Sequence, residues 1–249
     1  MIVVVVQARM GSTRLPGKVL LPIAGRPMLS YQLERLRAAR RADRIVLAIP
    51  DDDANEPLVR WCAAEGVDFV RGPEQDVLAR YAIAAREHGA SVIVRVTSDC
   101  PLIEASLVDR AIGTLVDSTP PPDYVSNMLA PSWPYGMAVE AFTRAALDAA
   151  HAEARAPAER EHVTPFIYWR PQRFRVHSLT MQPDLSHLRW TVDTPEDFAL
   201  VSRLLEHLHP ANPQFNMNDV LALLDRHPDW SAINQHIQQK AVSASEAKQ

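Results

Sequence analysis

The sequence lacks the features of disulfide-rich secreted domains, membrane proteins and general nucleic-acid-binding proteins. It has only 2 cysteines, Cys62 and Cys100, which are too few for a disulfide framework or a cysteine-based metal cluster. Its formal net charge is -4 at pH 7, which does not favour general binding to nucleic acids or membrane surfaces. The apolar run at residues 2–6 is too short for a signal peptide or a membrane span and has no basic leader. We therefore expect a cytoplasmic protein with no nucleic-acid or membrane partner.

Two common nucleotide-binding motifs are absent as well. Neither the dinucleotide fingerprint G-x-G-x-x-G nor the phosphate-binding loop G-x-x-x-x-G-K-[ST] occurs in the sequence. What the chain does have is 47% hydrophobic residues over a length of 249, which is enough to bury a sizeable core. We expect one domain over residues 1–240, in which 207–240 form a C-terminal helical extension, followed by a frayed tail at 241–249.

The beginning of the chain combines a buried strand with a polar loop. Residues 2–6 are all β-branched, which is typical of a strand buried on both faces of a parallel sheet, and open α/β sheets bind ligands at the carboxyl ends of such strands. In the loop that follows, Gly11 and Ser12 are small enough to let backbone amides approach an anion. The pattern favours a phosphate-rich ligand over the alternative, a solvated loop whose arginines only face water. The basic side chains that can neutralise the ligand are Arg9, Arg14 and Lys18.

Strand and helix patterns alternate along the rest of the chain, which predicts a three-layer α/β domain. We expect a mostly parallel sheet with one small antiparallel excursion near Trp133. Short apolar or β-branched runs predict further strands at 45–49, 68–70, 91–97, 124–126 and 173–181. Apolar residues at helical spacing, together with start signals, predict helices at 27–41, 56–65, 76–88 and 105–116, from 142, from 195, and at 218–226 and 230–239.

An acidic residue follows the predicted strand 91–97. If the sheet is parallel, Asp99 lies level with the first loop, where a carboxylate is placed to hold a divalent cation against phosphate oxygens. Its neighbour Cys100 has no recognisable general base near it in sequence, so we expect a packed and inert thiol. In a later segment, Thr194 starts a helix well, and Asp197 suits the amino end of that helix.

Several of these segments resemble the cytidylyltransferase family. The stretch QARMGSTRLPGKVL, followed by PIAGRPML, is similar to the opening of this family, which includes the enzymes that activate 3-deoxy-manno-octulosonate and acylneuraminate sugars as CMP conjugates. Further matching segments follow in order to about residue 207, and the spore-coat polysaccharide biosynthesis protein F branch is the most similar. The resemblance implies a three-layer Rossmann-like fold of the nucleotide-diphospho-sugar transferase type and a nucleotidyltransferase activity.

The resemblance also implies a nucleotide and metal site. Because S-D-C-P-L resembles the family's D-x-P-[LM]-[IV] motif and V-D-T-P-E-D a later motif, Asp99 and Asp193 are the expected ligands of Mg²⁺. Two carboxylates suit this ion, which adds waters and substrate phosphates, and they do not favour zinc or copper. Arg14 and Lys18 are expected to hold the triphosphate, and they complete the expected catalytic set. The expected nucleotide-binding residues are Gln7, Ala8, Arg9, Gly11, Ser12, Arg14, Lys18, Arg71 and Arg80.

The last two residues of that set lie in a segment with a second interpretation. Arg71 and Arg80 are included because R-G-x-x-x-D-V-L resembles a family segment near the nucleotide. The alternative is that Asp76 in this segment only caps or charges the first turn of a helix, as acidic residues at helix starts commonly do.

Two further segments imply acceptor-binding residues. The family's P-x-G-x-x-x-E pattern assigns Glu140, and its R-E-H-V-T segment assigns His162. Each has a structural alternative, in which Glu140 charges the amino end of the next helix and His162 is a satisfied structural histidine. Relatives often carry an acidic residue where this chain has Ala138, so the acceptor of a relative does not transfer in detail. The family also forms a dimer contact in this region, and the aromatic residues that suit either that contact or the core are Trp133 and Tyr135.

The sequence therefore predicts transfer of CMP from CTP to an acidic sugar or a related surface-polysaccharide precursor. The expected enzyme is a Mg²⁺-dependent homodimer that releases pyrophosphate. Two alternatives stay open. One is a nucleotidyltransferase or glycosyltransferase of the same architecture that uses another nucleotide, because G-S-T-R-L also resembles UTP- and dTTP-using enzymes. The other is a nucleotide-binding partner protein in a polysaccharide pathway without turnover of its own.

Overall fold

The structure is a computed structural model that describes residues 1–238. The expected tail at 241–249 and the end of the helix expected at 230–239 lie outside the described residues. The strands are β1 Ile2–Gln7, β2 Pro22–Ile23, β3 Arg26–Pro27, β4 Arg44–Pro50, β5 Phe69–Gly72, β6 Val92–Thr97, β7 Tyr124–Ser126, β8 Glu140–Thr143 and β9 Val176–Ser178. The helices are α1 Met28–Leu36, α2 Glu56–Glu65, α3 Val77–Glu87, α4 Ala105–Asp117, α5 Arg144–Glu153, α6 Pro157–His162, α7 Pro165–Tyr168, α8 Pro195–Leu208, α9 Met217–Arg226 and α10 Pro228–Ser231, with single 3₁₀ turns at Lys18–Leu20 and Asp53–Asn55.

Seven of these strands form one sheet in the order β5-β4-β1-β6-β8-β7-β9. The first strand of the chain lies in the centre and pairs in parallel with β4 and β6. The single reversed strand is β8, which is antiparallel to both β6 and β7. The predicted fold class, a mostly parallel sheet with a small antiparallel excursion, is therefore confirmed.

The alternation of side chains along β1 explains why helices cover both faces of the sheet. Val4 and Val6 are fully buried in a hydrophobic cluster that includes side chains of α1, α2, α4, α8 and α9. Val3 and Val5 point the other way, and they are fully buried in a second cluster with α3, α5 and α7. Successive residues of a strand face opposite sides, so a run of four valines fills both layers. The three-layer architecture follows directly from this run.

The predicted bounds of several elements are wrong. The strand expected at 173–181 is only Val176–Ser178, and the helix expected from residue 230 ends at Ser231. For two further helices, tertiary contacts explain the difference. The helix expected over 27–41 ends at Leu36, because the carboxylate of Asp109 instead accepts the backbone N–H groups of Arg40 and Arg41 at 3.0 and 2.8 Å. The helix expected from residue 142 begins only at Arg144. The residues before it form β8, in which Phe142 is fully buried between neighbouring strands.

The C-terminal extension is tied to the body by a buried arginine. Arg35 on α1 is 3% exposed, and its guanidinium donates to the backbone carbonyls of Leu102, Ile103, Pro213 and Phe215 at 2.8–3.4 Å. It also lies over the ring of Phe215, 4.2 Å from the centroid. Burial lowers the pKa of this guanidinium to about 10, still well above neutral pH. None of the helices within residues 1–238 is long and apolar enough to cross a membrane.

The Arg35 contacts predict a large effect of its removal. Arg35→Met keeps an apolar chain of similar length but leaves four carbonyl oxygens without their donor, and each buried unsatisfied group costs about 1–3 kcal/mol. We expect the free energy of unfolding, measured by urea titration, to fall by about 3 kcal/mol or more. The matched control is Arg37→Met on the exposed side of the same segment, with an expected change within about 0.5 kcal/mol. Equal losses in the two variants would contradict the role of Arg35.

Candidate active site

The loop after β1 is folded back on itself, so that its tip presents backbone amides. The carbonyl of Met10 accepts the N–H groups of both Ser12 and Gly17 at 3.0 Å. Gly17 has φ +69°, a left-handed conformation, with the end of the Met10 side chain packed against it. Within the described part of the chain, the N–H groups of Gly11, Thr13 and Arg14 donate no hydrogen bond. They are available to an anion, as the sequence predicts for this loop.

Lys18 joins this loop to two distant segments. Its side chain is only 11% exposed, and its Nζ atom donates to the carbonyl of Val192 at 2.6 Å and to Oδ1 of Asp193 at 2.9 Å. The same Nζ atom lies 3.6 Å from Oδ2 of Asp99. The two aspartates that the sequence assigns to the metal therefore lie on either side of one ammonium group. They remain accessible, with 28% and 14% of their side chains exposed.

Backbone contacts hold the two acidic segments together. The carbonyl of Asp99 accepts the N–H of Val192 at 2.8 Å and the hydroxyl of Thr191 at 3.1 Å. The hydroxyl of Thr97, the last residue of β6, donates to Oδ1 of Asp99 at 2.5 Å. Both carboxylates are thus placed at the carboxyl end of the parallel strands, as expected for ligand sites in open sheets.

A glycine allows a third segment to pack against the same place. The backbone N–H of Tyr135 donates to Leu188, and Trp190 donates back to Tyr135. At Gly136, φ is +111°, and a Cβ atom would lie 2.3 Å from the backbone nitrogen of Thr191. Only a residue without a side chain fits there. The glycine of the P-x-G-x-x-x-E pattern therefore serves the packing that positions Asp193.

Three cations surround Asp193. Its Oδ2 atom lies 3.1 Å from a guanidinium nitrogen of Arg14 and 3.1 Å from one of Arg189, and Oδ1 contacts Lys18. Burial alone raises the pKa of this carboxyl, but the three cations outweigh burial and hold its pKa below the usual range. The carboxylate stays ionised near neutral pH, which is the form that binds a cation.

The donor set fits a hard divalent cation. The two carboxylates already flank one positive charge, and they offer only oxygen ligands, which Mg²⁺ prefers. Within residues 1–238, no group of three or more His, Cys, Asp or Glu side chains is arranged to hold a metal. The remaining ligands therefore have to come from water or from substrate phosphates, as is common for Mg²⁺. Cys100 is buried, and burial raises the pKa of its thiol, which fits the expected inert role.

Arg71 and Arg80, the last two of the expected nucleotide-binding residues, both bind protein groups in the structure. Arg80 is 2% exposed and donates to the carbonyls of Pro73 and Glu74 at 2.7 and 2.9 Å. Arg71 pairs with Glu56 at 2.5 Å. Asp76 caps α3 by accepting the N–H of Ala79 at 2.9 Å, as the alternative interpretation holds. Capping is not its only contact, because its other carboxylate oxygen pairs with Arg160.

The loop that Arg80 holds faces the loop after β1, residues 8–17, which is called the glycine loop below. The carboxylate of Glu74 lies 3.7 Å from a guanidinium nitrogen of Arg9, and it is also the nearest group to the position of a Cβ atom on Gly11. Arg9 itself is half exposed. Arg80 therefore acts by holding residues 73–74 in place beside the glycine loop.

Glu140 lies within the sheet rather than at a helix end, so its helix-charging alternative is wrong. It stands directly opposite Arg95 on β6, and the two side chains form a buried ion pair. The other carboxylate oxygen of Glu140 accepts the hydroxyl of Tyr124 at 2.5 Å and that of Thr164. His162 is the last residue of α6, two positions before Thr164, so both acceptor candidates lie in the same part of the molecule.

Sequence reasoning missed the role of Arg95. Its Nε atom donates to Oε1 of Gln7 at 3.1 Å, and the hydroxyl of Tyr81 lies 3.3 Å from the same oxygen. Gln7 is therefore held by its side-chain oxygen at the start of the glycine loop, beside Ala8, whose N–H donates to Ala48. A charged residue inside an apolar strand was the only sequence signal of this network.

Trp133 is 8% exposed and belongs to the hydrophobic core. Of the two interpretations given from the sequence, a dimer contact or a core residue, the structure therefore shows the core position.

A sequence profile described as "Cytidylyltransferase" matches residues 3–222, which include the loop, both aspartates and Lys18. The chain belongs to the cytidylyltransferase family. This cytidylyltransferase is 32% identical over 234 residues to the spore coat polysaccharide biosynthesis protein SpsF of Bacillus subtilis, with 92% of this chain and 95% of the relative covered. It is 38% identical over 117 residues to the 3-deoxy-manno-octulosonate cytidylyltransferase of Geobacter sulfurreducens, with 47% of this chain and 46% of the relative covered.

A solved structure supports the same assignment. The cytidylyltransferase of Leptospira borgpetersenii superimposes on this chain with a TM-score of 0.87 at 28% sequence identity, and the match covers 96% of this chain and 99% of that one. The resemblance stated from the sequence motifs is thereby confirmed. The chain is a nucleotidyltransferase.

The close packing at Gly136 predicts a strong effect of one methyl group. In this cytidylyltransferase, Gly136→Ala places Cβ against the backbone of Thr191 at a positive φ. We expect the free energy of unfolding to fall by about 3 kcal/mol, measured by urea titration. Gly113→Ala is the matched control, because Gly113 lies inside α4 and a Cβ there meets only the end of the Arg41 side chain at 3.4 Å. That variant is expected to be neutral or about 0.5 kcal/mol more stable, and a similar loss in both would exclude the steric explanation.

Proposed function

We propose that this cytidylyltransferase transfers CMP from CTP to an acidic sugar or a related surface-polysaccharide precursor and releases pyrophosphate, with Mg²⁺ bound by Asp99 and Asp193. The observation that carries the proposal is the position of Lys18. Its ammonium lies 2.9 Å from Asp193 and 3.6 Å from Asp99, and Arg14 contacts Asp193 from the glycine loop. Cations for a triphosphate and carboxylates for a metal thus meet in one place.

The glycine loop supplies the expected triphosphate contacts. The N–H groups of Gly11, Thr13 and Arg14 and the side chain of Arg14 offer donors to phosphate oxygens, and charge-assisted hydrogen bonds of this kind are strong. The ammonium group of Lys18, between the two carboxylates, is a further proposed donor to these oxygens. The remaining proposed nucleotide contacts are Gln7, Ala8, Arg9, Ser12, Arg71 and Arg80, of which Arg80 acts through the loop at residues 73–74.

The reaction is an in-line displacement at the α-phosphorus. An acceptor oxygen forms the new bond to phosphorus, the bond to the bridging oxygen of pyrophosphate breaks, and the acceptor proton passes to solvent. Arg14 and Lys18 neutralise the charge that develops on the leaving pyrophosphate. When bound at Asp99 and Asp193, Mg²⁺ supplies Lewis-acid stabilisation of the phosphoryl oxygens and lowers the pKa of the acceptor hydroxyl.

The acceptor class is inferred from the relatives together with the polar network around Glu140. SpsF is described as a spore coat polysaccharide biosynthesis protein, and the Geobacter sulfurreducens relative, matched over 46% of its length, is described as a 3-deoxy-manno-octulosonate cytidylyltransferase. In this chain, Glu140 acts through Arg95, because its own carboxylate is enclosed by Arg95, Tyr124 and Thr164. His162 stays a proposed acceptor contact.

The activity is tested by pyrophosphate release from CTP with Mg²⁺ and a panel of acidic sugars, including 3-deoxy-manno-octulosonate and N-acetylneuraminate. Release that depends on one acidic sugar supports the proposal. Thermal stabilisation that is greater with UTP or dTTP than with CTP would assign a different nucleotide. Saturable CTP binding with no product from the whole panel would contradict the proposed acceptor class.

Asp99→Asn removes one negative charge from the metal site and keeps the side-chain shape. We expect turnover to fall more than about 100-fold, a larger loss than removal of a residue that only orients a metal ligand causes. The protein is expected to stay folded, as measured by thermal denaturation. The matched control is Asp117→Asn, an exposed aspartate paired with Arg41 on the surface, which is expected to keep wild-type turnover. Near-normal rates in Asp99→Asn would refute the metal assignment.

Lys18→Met predicts opposite effects on the two ligands. Without the ammonium, the two carboxylates lose the cation between them, so Mn²⁺ binding in the absence of nucleotide is expected to tighten. CTP affinity is expected to fall, because a phosphate contact is lost. Electron paramagnetic resonance of free Mn²⁺ measures the Mn²⁺ affinity, and calorimetry measures the CTP affinity. Lys18→Arg is the control that preserves the charge. Weaker Mn²⁺ binding in Lys18→Met would show that Lys18 does not compete with the cation.

A further inference from the structure

Asp197 is surrounded by more hydrogen-bond donors than the start of a helix requires. In a capping box, this carboxylate needs only to accept the N–H of the capping residue, Thr194, and it does so at 3.1 Å. It is also fully buried and accepts Nε and Nη2 of Arg189 at 2.9 and 2.8 Å and the N–H of Asp193 at 3.0 Å. Asp197 therefore fixes both the backbone of Asp193 and an arginine beside it.

Arg189 connects Asp197 to the carboxylate of Asp193. Its Nη2 atom lies 2.8 Å from Oδ2 of Asp197 and 3.1 Å from Oδ2 of Asp193. Because two nitrogens of the planar guanidinium are bound to Asp197, the direction from which Arg189 contacts Asp193 is fixed as well. Balanced charges make this burial possible, since three cations face three carboxylates: Arg14, Lys18 and Arg189 against Asp99, Asp193 and Asp197.

The other donor to Asp197 comes from the C-terminal segment. Asn234, three residues after the end of α10, is 3% exposed. Its Nδ2 atom donates to Oδ1 of Asp197 at 2.9 Å and to the backbone carbonyl of Arg189 at 2.9 Å. The neutral amide of Asn234 thus binds both Asp197 and Arg189, and it adds no charge to this group of ion pairs.

We propose that Asn234 is a positioning residue for metal binding, which acts through Asp197 and Arg189 on the carboxylate of Asp193. The inference rests on the proposed metal site at Asp99 and Asp193. Partners that orient a metal ligand typically contribute about 10–100-fold in metal affinity or activity. Asn234 then connects the described C-terminal segment to the active site.

The test is a titration of the full chain with Mn²⁺ in the presence of CTP. Electron paramagnetic resonance measures the concentration of free Mn²⁺, and the same titration of CTP without protein is the reference. For Asn234→Ala, we expect the dissociation constant of Mn²⁺ to rise about 10-fold. Calorimetry in the absence of metal is expected to show unchanged CTP affinity. A merely structural role would lower the thermal midpoint without changing the Mn²⁺ constant.

Asn216→Ala is the matched control. Asn216 lies in the same extension and caps α9 by accepting the N–H groups of Asn218 and Asp219, so its loss lowers the thermal midpoint but should leave Mn²⁺ affinity within twofold. If Asn234→Ala does not fold, the same titration is made on Asn234→Ser. A Mn²⁺ constant within twofold of wild type in the folded Asn234 variant overturns the positioning role alone. A wild-type protein that binds no Mn²⁺ beyond the CTP reference overturns the proposed metal site and the positioning role together.

Discussion

The ammonium group of Lys18 is the contact on which the site depends. A buried charge is costly unless it is paired and hydrogen-bonded, and the 11% exposed side chain of Lys18 finds its partners in Asp99, Asp193 and the carbonyl of Val192. These residues lie far apart in the chain. The fold satisfies Lys18 only when β1 and β6 end side by side and the segment before α8 lies against Asp99. The same contact that stabilises the folded chain therefore assembles the chemistry.

Much of this arrangement is visible in the sequence because it depends on local patterns. The valine run predicts β1, and the apolar run before Asp99 predicts β6. Parallel strands that are neighbours bring their carboxyl ends to the same edge of the sheet, so a loop after one and a carboxylate after the other must come close. The position of Asp193 followed only from resemblance, since its short segment forms no strand of the main sheet in the described residues.

The contacts that the sequence did not predict depend on strand register and on distant partners. Glu140 reads locally as the start of a helix, but it lies opposite Arg95 because β8 is inserted antiparallel beside β6. Asp197 reads as a helix-stabilising residue, which is correct but incomplete, since Arg189 and Asn234 approach it from other segments. No spacing within a single helix or strand encodes those approaches. Arg95 was visible only as an anomaly, a charge in an apolar strand.

The buried pair of Arg95 and Glu140 also restricts how the sheet is able to assemble. Side chains alternate along a strand, so a shift of β8 by one residue would turn Glu140 toward the apolar layer that contains Val94. Arg95 would then lose its counter-ion while still enclosed, and separating a buried pair in this way costs about 3–5 kcal/mol. A misaligned sheet is therefore strongly disfavoured relative to the native one. The ion pair between Arg95 and Glu140 therefore fixes the register of β8, the reversed strand of the sheet.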